Sequence, residues 1–125
     1  MSCSKLKKST AKILRSLGIH KASLNLVLVG DEKIRMLNRR FLKHDRVTDV
    51  ITWGEYRGGL QGDIVISLDT TQRQAAHYGN PFFYELCFYV CHGILHILGW
   101  DDSRAAGRRR MWRKQEEILK SFLFK

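Results

Sequence analysis

A run of mostly apolar residues, 81–100, constrains the fold of this chain more than any other segment. It is long enough to cross a bilayer, but it contains one glutamate and two histidines, which are costly in lipid. Asn80 and Pro81 form a favoured helix start, a capping residue followed by proline at the first helical position, and Gly99 is a favoured helix end. We therefore predict a helix over 81–98 that is buried at the centre of a globular fold, and no membrane span.

The rest of the chain alternates between short aliphatic runs and amphipathic segments. Runs rich in aliphatic and β-branched residues predict strands, and apolar residues at helical spacing predict helices. The first half of the chain is predicted to form a helix that ends at Gly18 and buries Leu6, Ile13, Leu14 and Leu17, then strand 24–29, then a helix capped by Asp31 that buries Ile34, Leu37 and Phe41. Strands 47–53 and 63–68 follow. The second half is predicted to form a helix capped by Asp69 that reaches about Tyr78, helix 81–98, and a final helix 103–122 with Met111, Gln115, Ile118, Leu119 and Phe122 on one side.

The order of these elements predicts the fold class. Strands concentrate in the first half and helices in the second, which is typical of an α+β domain whose helices cover a small mixed sheet, here of about three to four strands. Strands 47–53 and 63–68 are predicted to pair as a hairpin. The loop between them is punctuated by four glycines, Gly54, Gly58, Gly59 and Gly62. With 125 residues and no repeats, we expect one domain over 1–125.

The cysteines bear on the compartment. Cys3, Cys87 and Cys91 are odd in number and lack CxxC spacing. This argues against a disulfide framework and against a thiolate zinc site, and it favours a reducing compartment. Residues 1–10 are basic with no apolar run behind them, so they do not resemble a secretory signal. We therefore expect a cytoplasmic protein.

The chain carries a formal net charge of +10, from 22 Lys and Arg against 12 Asp and Glu. A basic surface suits RNA, DNA or an anionic membrane, although a solvated face is the simpler explanation for any one group of charges. The basic residues concentrate in an N-terminal cluster, Lys5, Lys7, Lys8 and Lys12, a middle cluster within 35–46, and a C-terminal cluster, Arg104, Arg108, Arg109, Arg110, Arg113 and Lys114.

His92 and His96 are four residues apart on the predicted helix, so their imidazoles lie on one face, one turn apart. This spacing lets two nitrogens bind one metal ion, as do the two histidines of H-E-x-x-H sites. Gly99 then ends the helix, and the chain can double back to bring Asp102 to the same ion. Two core histidines satisfied by hydrogen bonds are the alternative, but the glycine and the carboxylate at this offset favour a metal site.

Three protein ligands leave one coordination position open, which is typical of catalytic metal sites. We therefore predict a metal-dependent hydrolase. A zinc peptidase would carry its glutamate general base at the position of Gly93, so a peptidase is disfavoured. Cys91 precedes His92 but lies about 100° around the helix from it, so we expect a buried apolar residue rather than a ligand.

The segment 92–102, HGILHILGWDD, resembles the signature H-G-x-L-H-x-x-G-Y-D-H of the YbeY family of rRNA-maturation endoribonucleases. It departs from that signature at two positions, where Trp100 replaces tyrosine and Asp102 replaces the third histidine. The resemblance extends along most of the chain. Further ordered matches are Leu37-Asn38, the TDVITW stretch at 48–53, Gly62-Asp63-Ile64 and Met111.

The resemblance implies a small α+β fold with a metal site on the end of the central helix. It implies single-strand-specific endoribonuclease activity in small-subunit rRNA maturation and ribosome quality control, with RNA and the small ribosomal subunit or its associated factors as partners. The family's metal ligands correspond to His92, His96 and Asp102, with Asp101 as a rival to Asp102. Zinc is the metal usually assigned, and because a carboxylate suits harder ions, Mn²⁺ or Fe²⁺ would also fit. We expect no organic cofactor.

The family places an arginine between the Leu-Asn motif and the second strand, where this sequence has Leu42. We hypothesise that Arg40 or Arg46 takes over its phosphate-binding role, and that the middle cluster, with Arg39 and Lys43, contacts RNA. A catalytically weak, metal-stabilised module that binds RNA or the ribosome is the alternative function. The sequence leaves open whether water or the neighbouring ribose 2′-OH attacks the phosphodiester. The aromatic residues considered for stacking on unpaired bases are Trp53, Tyr56 and Trp100.

Overall fold

The computed structural model of the protein describes residues 3–42 and 50–123. Within these residues it has five helices and three strands, in the predicted order. They are α1 (Cys3–Ser16), β1 (Ala22–Val29), α2 (Asp31–Leu42), β2 (Val50–Tyr56), β3 (Leu60–Ser67), α3 (Leu68–Tyr78), α4 (Phe82–Ile97) and α5 (Ala105–Lys120). This is the predicted α+β class.

Several element ends differ from the prediction. β1 and β3 begin earlier than predicted, at Ala22 and Leu60, and β2 continues to Tyr56. Residues 47–49 of the predicted second strand lie outside the described residues. The last helix, α5, is shorter than predicted at both ends.

β3 lies in the middle of the sheet, in the strand order β1-β3-β2. β2 and β3 pair antiparallel, as predicted for the hairpin, in a register that places Gly54 opposite Gly62. Both glycines therefore lie inside strands rather than in the loop where they were predicted. β1 runs parallel to β3, with Ala22 opposite Leu60. The sheet is thus mixed, as predicted, and has three strands in the described part of the chain.

The two faces of the sheet carry different helices. Ile64 and Ile66 of β3 belong to the main hydrophobic cluster, which includes most of α4. Val65, between them, packs instead with Ile34 of α2. Because side chains alternate across a strand, α4 and α2 lie on opposite faces of the sheet.

Helix α4 is the buried centre of the fold, as predicted. It packs against β2, β3, α1, α3 and α5, and most of its side chains between Tyr84 and Leu95 are buried. Cys87 and Cys91 are buried free thiols, and burial raises the pKa of each to about 12. Of the helices that the structure describes, none combines the length and apolarity needed to cross a membrane.

Glycines allow α4 to approach the sheet closely. A Cβ at Gly93 of α4 would lie 2.9 Å from side-chain atoms of Ile64 and of Thr52. A Cβ at Gly62 of β3 would lie 2.9 Å from Cδ1 of Ile97, one turn further along α4. Close-packed interiors do not accommodate such contacts. Gly93 therefore faces the sheet, where a glutamate side chain has no room, which is a structural reason against a peptidase arrangement.

Neither of the carboxylates predicted to cap α2 and α3 caps its own helix, so both assignments were wrong. Oδ2 of Asp69 accepts the backbone N–H of Asp31 at 2.9 Å and so caps α2. Oδ1 of Asp31 accepts the hydroxyls of Ser67 at 2.6 Å and Thr70 at 2.8 Å, at the start of α3. The N-cap of α3 is Ser67. Arg73 pairs with Asp31 at 2.8 Å, and its hydrogen bond lowers the pKa of that carboxyl to about 2.

The start of α4 differs from the prediction by one position. Pro81 is the N-cap and the helix begins at Phe82. Asn80 is therefore not the N-cap, and its Nδ2 instead donates to Oε1 of Glu85 at 2.9 Å. Glu85 is 3% exposed, so this hydrogen bond satisfies a carboxylate inside the apolar run.

Candidate metal centre

The end of α4 is a turn that brings the chain back toward the last helical residues. Gly99 adopts the left-handed conformation, with a φ of 97°. Its N–H donates to the carbonyl of His96, and the N–H of Trp100 donates to the carbonyl of Leu95, both at 3.0 Å. These two bonds form the Schellman arrangement that glycine favours at helix ends. They confirm the predicted stop at Gly99.

Three side chains converge beside this turn, and we call them the triad. Nε2 of His92 lies 2.9 Å from Nε2 of His96. Each of these nitrogens lies 3.3 Å from Oδ2 of Asp102. The three side chains are between 22% and 34% exposed, so the triad is accessible to a ligand from solvent.

The triad has the dimensions of a metal site. Ligand atoms held tetrahedrally at about 2.1 Å from a zinc ion lie about 3.4 Å from one another. The three spacings in the triad, 2.9, 3.3 and 3.3 Å, are close to that value. Two imidazole nitrogens and a carboxylate oxygen suit Zn²⁺, Mn²⁺ and Fe²⁺. The residues present therefore fit one divalent ion.

Gln115 of α5 fixes the ring of His92. Its Nε2 donates to the carbonyl oxygen of Phe88 at 3.1 Å, which directs its Oε1 toward Nδ1 of His92 at 3.0 Å. An amide oxygen only accepts, so Nδ1 of His92 carries the proton and Nε2 of the neutral ring presents a lone pair to the triad. Metal-binding histidines characteristically have such a partner on the second nitrogen. The sequence placed Gln115 on the buried face of α5 but gave no sign of this role.

Asp101, the rival third ligand, is engaged elsewhere. Its Oδ1 accepts the backbone N–H of Ser103 at 2.9 Å and its Oδ2 accepts the Ser103 hydroxyl at 3.0 Å. These hydrogen bonds lower the pKa of Asp101. The geometry therefore favours Asp102 as the third ligand. Gly107 lets this turn pack on the start of α5, because a Cβ there would collide with the carbonyl oxygen of Asp101.

A cavity of about 320 Å³ opens beside the triad. His92 and Asp102 line it, together with Arg108 of α5. Nη1 of Arg108 donates to the carbonyl oxygens of Asp102 and Ser103, both at 3.3 Å. This guanidinium therefore braces the turn that carries Asp102 and also places a positive charge beside the triad. It belongs to the C-terminal basic cluster, whereas the prediction favoured the middle cluster.

The described part of the middle cluster lies away from this cavity. Arg39 and Arg40 are exposed on α2, which packs on the sheet face opposite α4. The described residues that line the cavity include none from α2. Lys43 and Arg46 lie outside the described residues. A phosphate-binding role for this cluster stays a prediction.

The aromatic residues at the cavity are not those considered from the sequence. Trp53 packs on the α2 side of the sheet, and Trp100 packs against the main cluster. Tyr56 is exposed on β2 and is not among the described residues that line the cavity. Tyr78 of α3 and Trp112 of α5 do line it. No local signal marks them, because the packing of α3 and α5 on α4 brings them to the site.

Comparisons with known proteins agree with the sequence motif. A family model described as Endoribonuclease YbeY matches residues 2–123. The Endoribonuclease YbeY of Geobacter metallireducens is 41% identical over 124 residues, covering 92% of this chain and 83% of that protein. The Endoribonuclease YbeY of Aquifex aeolicus is 35% identical over 125 residues, covering 97% and 83%.

A solved structure supports the same relationship. The solution structure of TM1509 from Thermotoga maritima superposes with a TM-score of 0.71 at 30% sequence identity, covering 94% of this chain and 78% of that one. The motif at 92–102, the whole-chain match and the shared fold lead to one conclusion. This chain belongs to the YbeY family of endoribonucleases.

Proposed function

We propose that this protein is a metal-dependent endoribonuclease that holds one divalent ion at His92, His96 and Asp102. The observation that carries the proposal is the convergence of three donor atoms within 3.3 Å of one another. Relatives that match most of the chain bear the name endoribonuclease. The net charge of +10 suits a polyanionic substrate.

When bound, a divalent ion supplies Lewis-acid stabilisation of the charge that develops on the phosphodiester. His92 and His96 offer neutral nitrogens to it, and Gln115 holds His92 in the tautomer that can bind. Asp102 adds a negative charge, so the site carries about +1 with the ion in place, against about +2 for three neutral histidines. Zn²⁺ is our first choice because two donors are imidazoles, and the carboxylate suits Mn²⁺ or Fe²⁺ as well.

We propose single-stranded RNA as the substrate. From the family resemblance we further propose a role in small-subunit rRNA maturation and ribosome quality control, with the small ribosomal subunit as partner and residues 1–125 as one domain. One observation favours a second candidate function, a module that binds RNA or the ribosome with little catalysis. The third ligand position holds Asp102 instead of the family's histidine, which weakens the positive charge of the site.

The proposed function predicts that the purified protein carries about one transition metal ion per chain. The His92→Ala/His96→Ala double variant should lose this metal, because it retains only one of the three donors. Mass spectrometry of the metal content checks the first expectation. Cleavage of a single-stranded RNA, with added metal and with chelator, checks that activity follows the metal.

His20→Ala is the matched control, because His20 is exposed and does not belong to the triad, and it should keep both metal and cleavage. Metal that persists in the double variant would show that the triad is not the site. If the protein binds RNA but holds no metal and cleaves no RNA, even after reconstitution, the binding-module function would be favoured over the endoribonuclease.

Positive charge beside the triad and positive charge in the middle cluster predict different effects when they are removed. Arg108→Ala should slow RNA cleavage by about tenfold or more without loss of metal, because it removes a cation beside the triad.

The Arg40→Ala/Arg46→Ala double variant should instead weaken RNA binding and reduce its salt dependence by about two phosphate contacts. Single-turnover rates at saturating metal, and binding titrations at several salt concentrations, measure the two effects separately.

Arg109→Ala is the control for Arg108, because Arg109 is exposed on the same turn of α5 and is not among the described residues that line the cavity. An unchanged cleavage rate in Arg108→Ala would show that this guanidinium does not contribute to catalysis. If the double variant kept both the cleavage rate and the salt dependence of RNA binding, the phosphate-binding role of the middle cluster would be wrong.

A further inference from the structure

The cavity beside the triad has the size and lining of a small-ligand site. Its volume of about 320 Å³ is near the lower end of the range for pockets that bind small organic molecules, about 300–1,000 Å³. Such pockets combine an apolar lining with placed polar groups. Five of the side chains lining this cavity are aromatic or apolar, Tyr78, Phe88, Tyr89, Met111 and Trp112, and the other six lining residues are polar or charged, Glu85 among them.

Two of these rings are presented to solvent. Tyr78 is 49% exposed and Trp112 is 42% exposed. Trp112 is held in place by edge contacts with Phe88, at a centroid distance of 4.8 Å, and with Tyr78, at 5.5 Å. A ring fixed by its neighbours loses little conformational entropy when a flat ligand stacks on it.

The same cavity reaches the triad. His92 and Asp102 line it, so a ligand in the cavity lies directly beside whatever the triad binds. Arg108 also lines it and supplies a guanidinium, which suits a phosphate. One cavity thus joins an aromatic stacking surface, a phosphate-binding cation and the triad. These three features match the base, the phosphate and the reacting bond of a single nucleotide.

We infer that this cavity binds one unpaired nucleobase of an RNA strand next to the phosphodiester at the triad. The base would stack on Trp112 and meet Tyr78, whose ring is inclined at 67° to that of Trp112, along its edge. The inference rests on the proposed function and deepens it, because it names the feature that selects single strands. A base within a duplex is already stacked and paired, and it enters such a pocket only after leaving the helix.

The first test measures RNA binding without cleavage. A 5′-labelled 2′-O-methyl RNA strand, checked by gel to stay intact, is titrated with the metal-loaded full chain and followed by fluorescence anisotropy. Trp112→Ala and Tyr78→Ala should each weaken binding by about tenfold, and Trp112→Phe should restore most of the affinity. Tyr56→Ala removes a ring that is 52% exposed and is not among the described residues lining the cavity, so it should bind like the wild type.

The second test changes the RNA, and its first part uses only the wild-type protein, so that part does not depend on how the variants fold. An abasic residue is moved one position at a time along a cleavable strand whose cleavage site has been mapped. One abasic position beside the cleaved bond should slow wild-type cleavage by about tenfold. At that position alone, Trp112→Ala should cause no further loss, because the base that it would contact is already missing.

The outcomes separate the inference from the function on which it rests. The base site would be wrong if no abasic position slowed cleavage, or if Trp112→Ala lowered the cleavage rate by the same factor on every strand. Metal-dependent cleavage would still support the endoribonuclease. If the wild type neither binds nor cleaves any strand, the proposed function fails and the base site fails with it.

Discussion

Asp102→Ala is expected to lower the metal affinity of this protein by more than about 100-fold. Loss of a residue that hydrogen-bonds to a metal ligand already lowers metal affinity about 10–100-fold, and loss of the ligand itself should lower it further. Asp101→Ala, one residue away, should lower it by no more than about tenfold, the lower end of that range, because the Asp101 carboxylate bonds Ser103 rather than the triad. The difference follows from the turn after α4. Oδ2 of Asp102 lies 3.3 Å from both histidine nitrogens, whereas both oxygens of Asp101 are bonded to Ser103.

Competition with a chromophoric zinc chelator measures these affinities, and Asp102→His provides the sharpest control. That variant replaces the carboxylate by the histidine found in the family signature, so it should keep the metal while changing the charge of the site by about one unit. A large loss in Asp101→Ala, with Asp102→Ala unaffected, would reverse the ligand assignment. Equal retention of metal in both variants would place the third ligand outside this turn.

The convergence of the triad was largely predictable because its three residues are local in sequence. His92 and His96 are related by one helical turn, a period that any helix imposes. Gly99 has the left-handed φ that turns the chain back, and residues that follow such a glycine within a few positions must lie near the helix end. The prediction of Asp102 needed only these short-range rules.

What could not be predicted depends on contacts between residues distant in sequence. Gln115 meets His92 across 23 positions, and Asp69 caps α2 across 38 positions. A capping carboxylate looks the same in sequence whether it caps its own helix or a neighbouring one, so the capping of α2 by Asp69 had no local signal. The aromatic cavity is the same kind of feature, because α3 and α5 meet there only after both have packed on α4.

Gly54 and Gly62 show a different limit of prediction from sequence. In sequence they resemble the loop glycines Gly58 and Gly59, because glycine usually interrupts strands. Only the register shows that Gly54 and Gly62 are cross-strand partners on the sheet face that α4 covers. Their missing side chains make room for Ile97. Two residues predicted to lie in the loop are therefore part of the contact that positions the helix bearing both histidines.

Gly62→Ala is expected to reduce the free energy of unfolding by about 3 kcal/mol or more, at the upper end of overpacking effects. The new Cβ would collide with the carbonyl oxygen of Trp53 on the paired strand, and it would lie 2.9 Å from Cδ1 of Ile97 and 3.0 Å from Cα of Gly54. A backbone oxygen within a ladder cannot rotate away, so β2 and β3 must separate or α4 must lift. A loss of this size is a large part of a typical domain stability of about 5–15 kcal/mol.

Urea unfolding followed by circular dichroism measures the change, with Gln61→Ala as the matched control. Gln61 precedes Gly62 on β3 and is exposed, so its truncation should change stability by less than about 0.5 kcal/mol. Gly93→Ala probes the same contact from α4, where only side-chain atoms of Ile64 and Thr52 stand in the way, so its cost should be smaller, about 1–3 kcal/mol. This order follows because side chains can shift and a paired backbone cannot. If Gly62→Ala proved as stable as Gln61→Ala, the close approach of α4 to the hairpin would be wrong, and with it the structural account of where the two histidines are held.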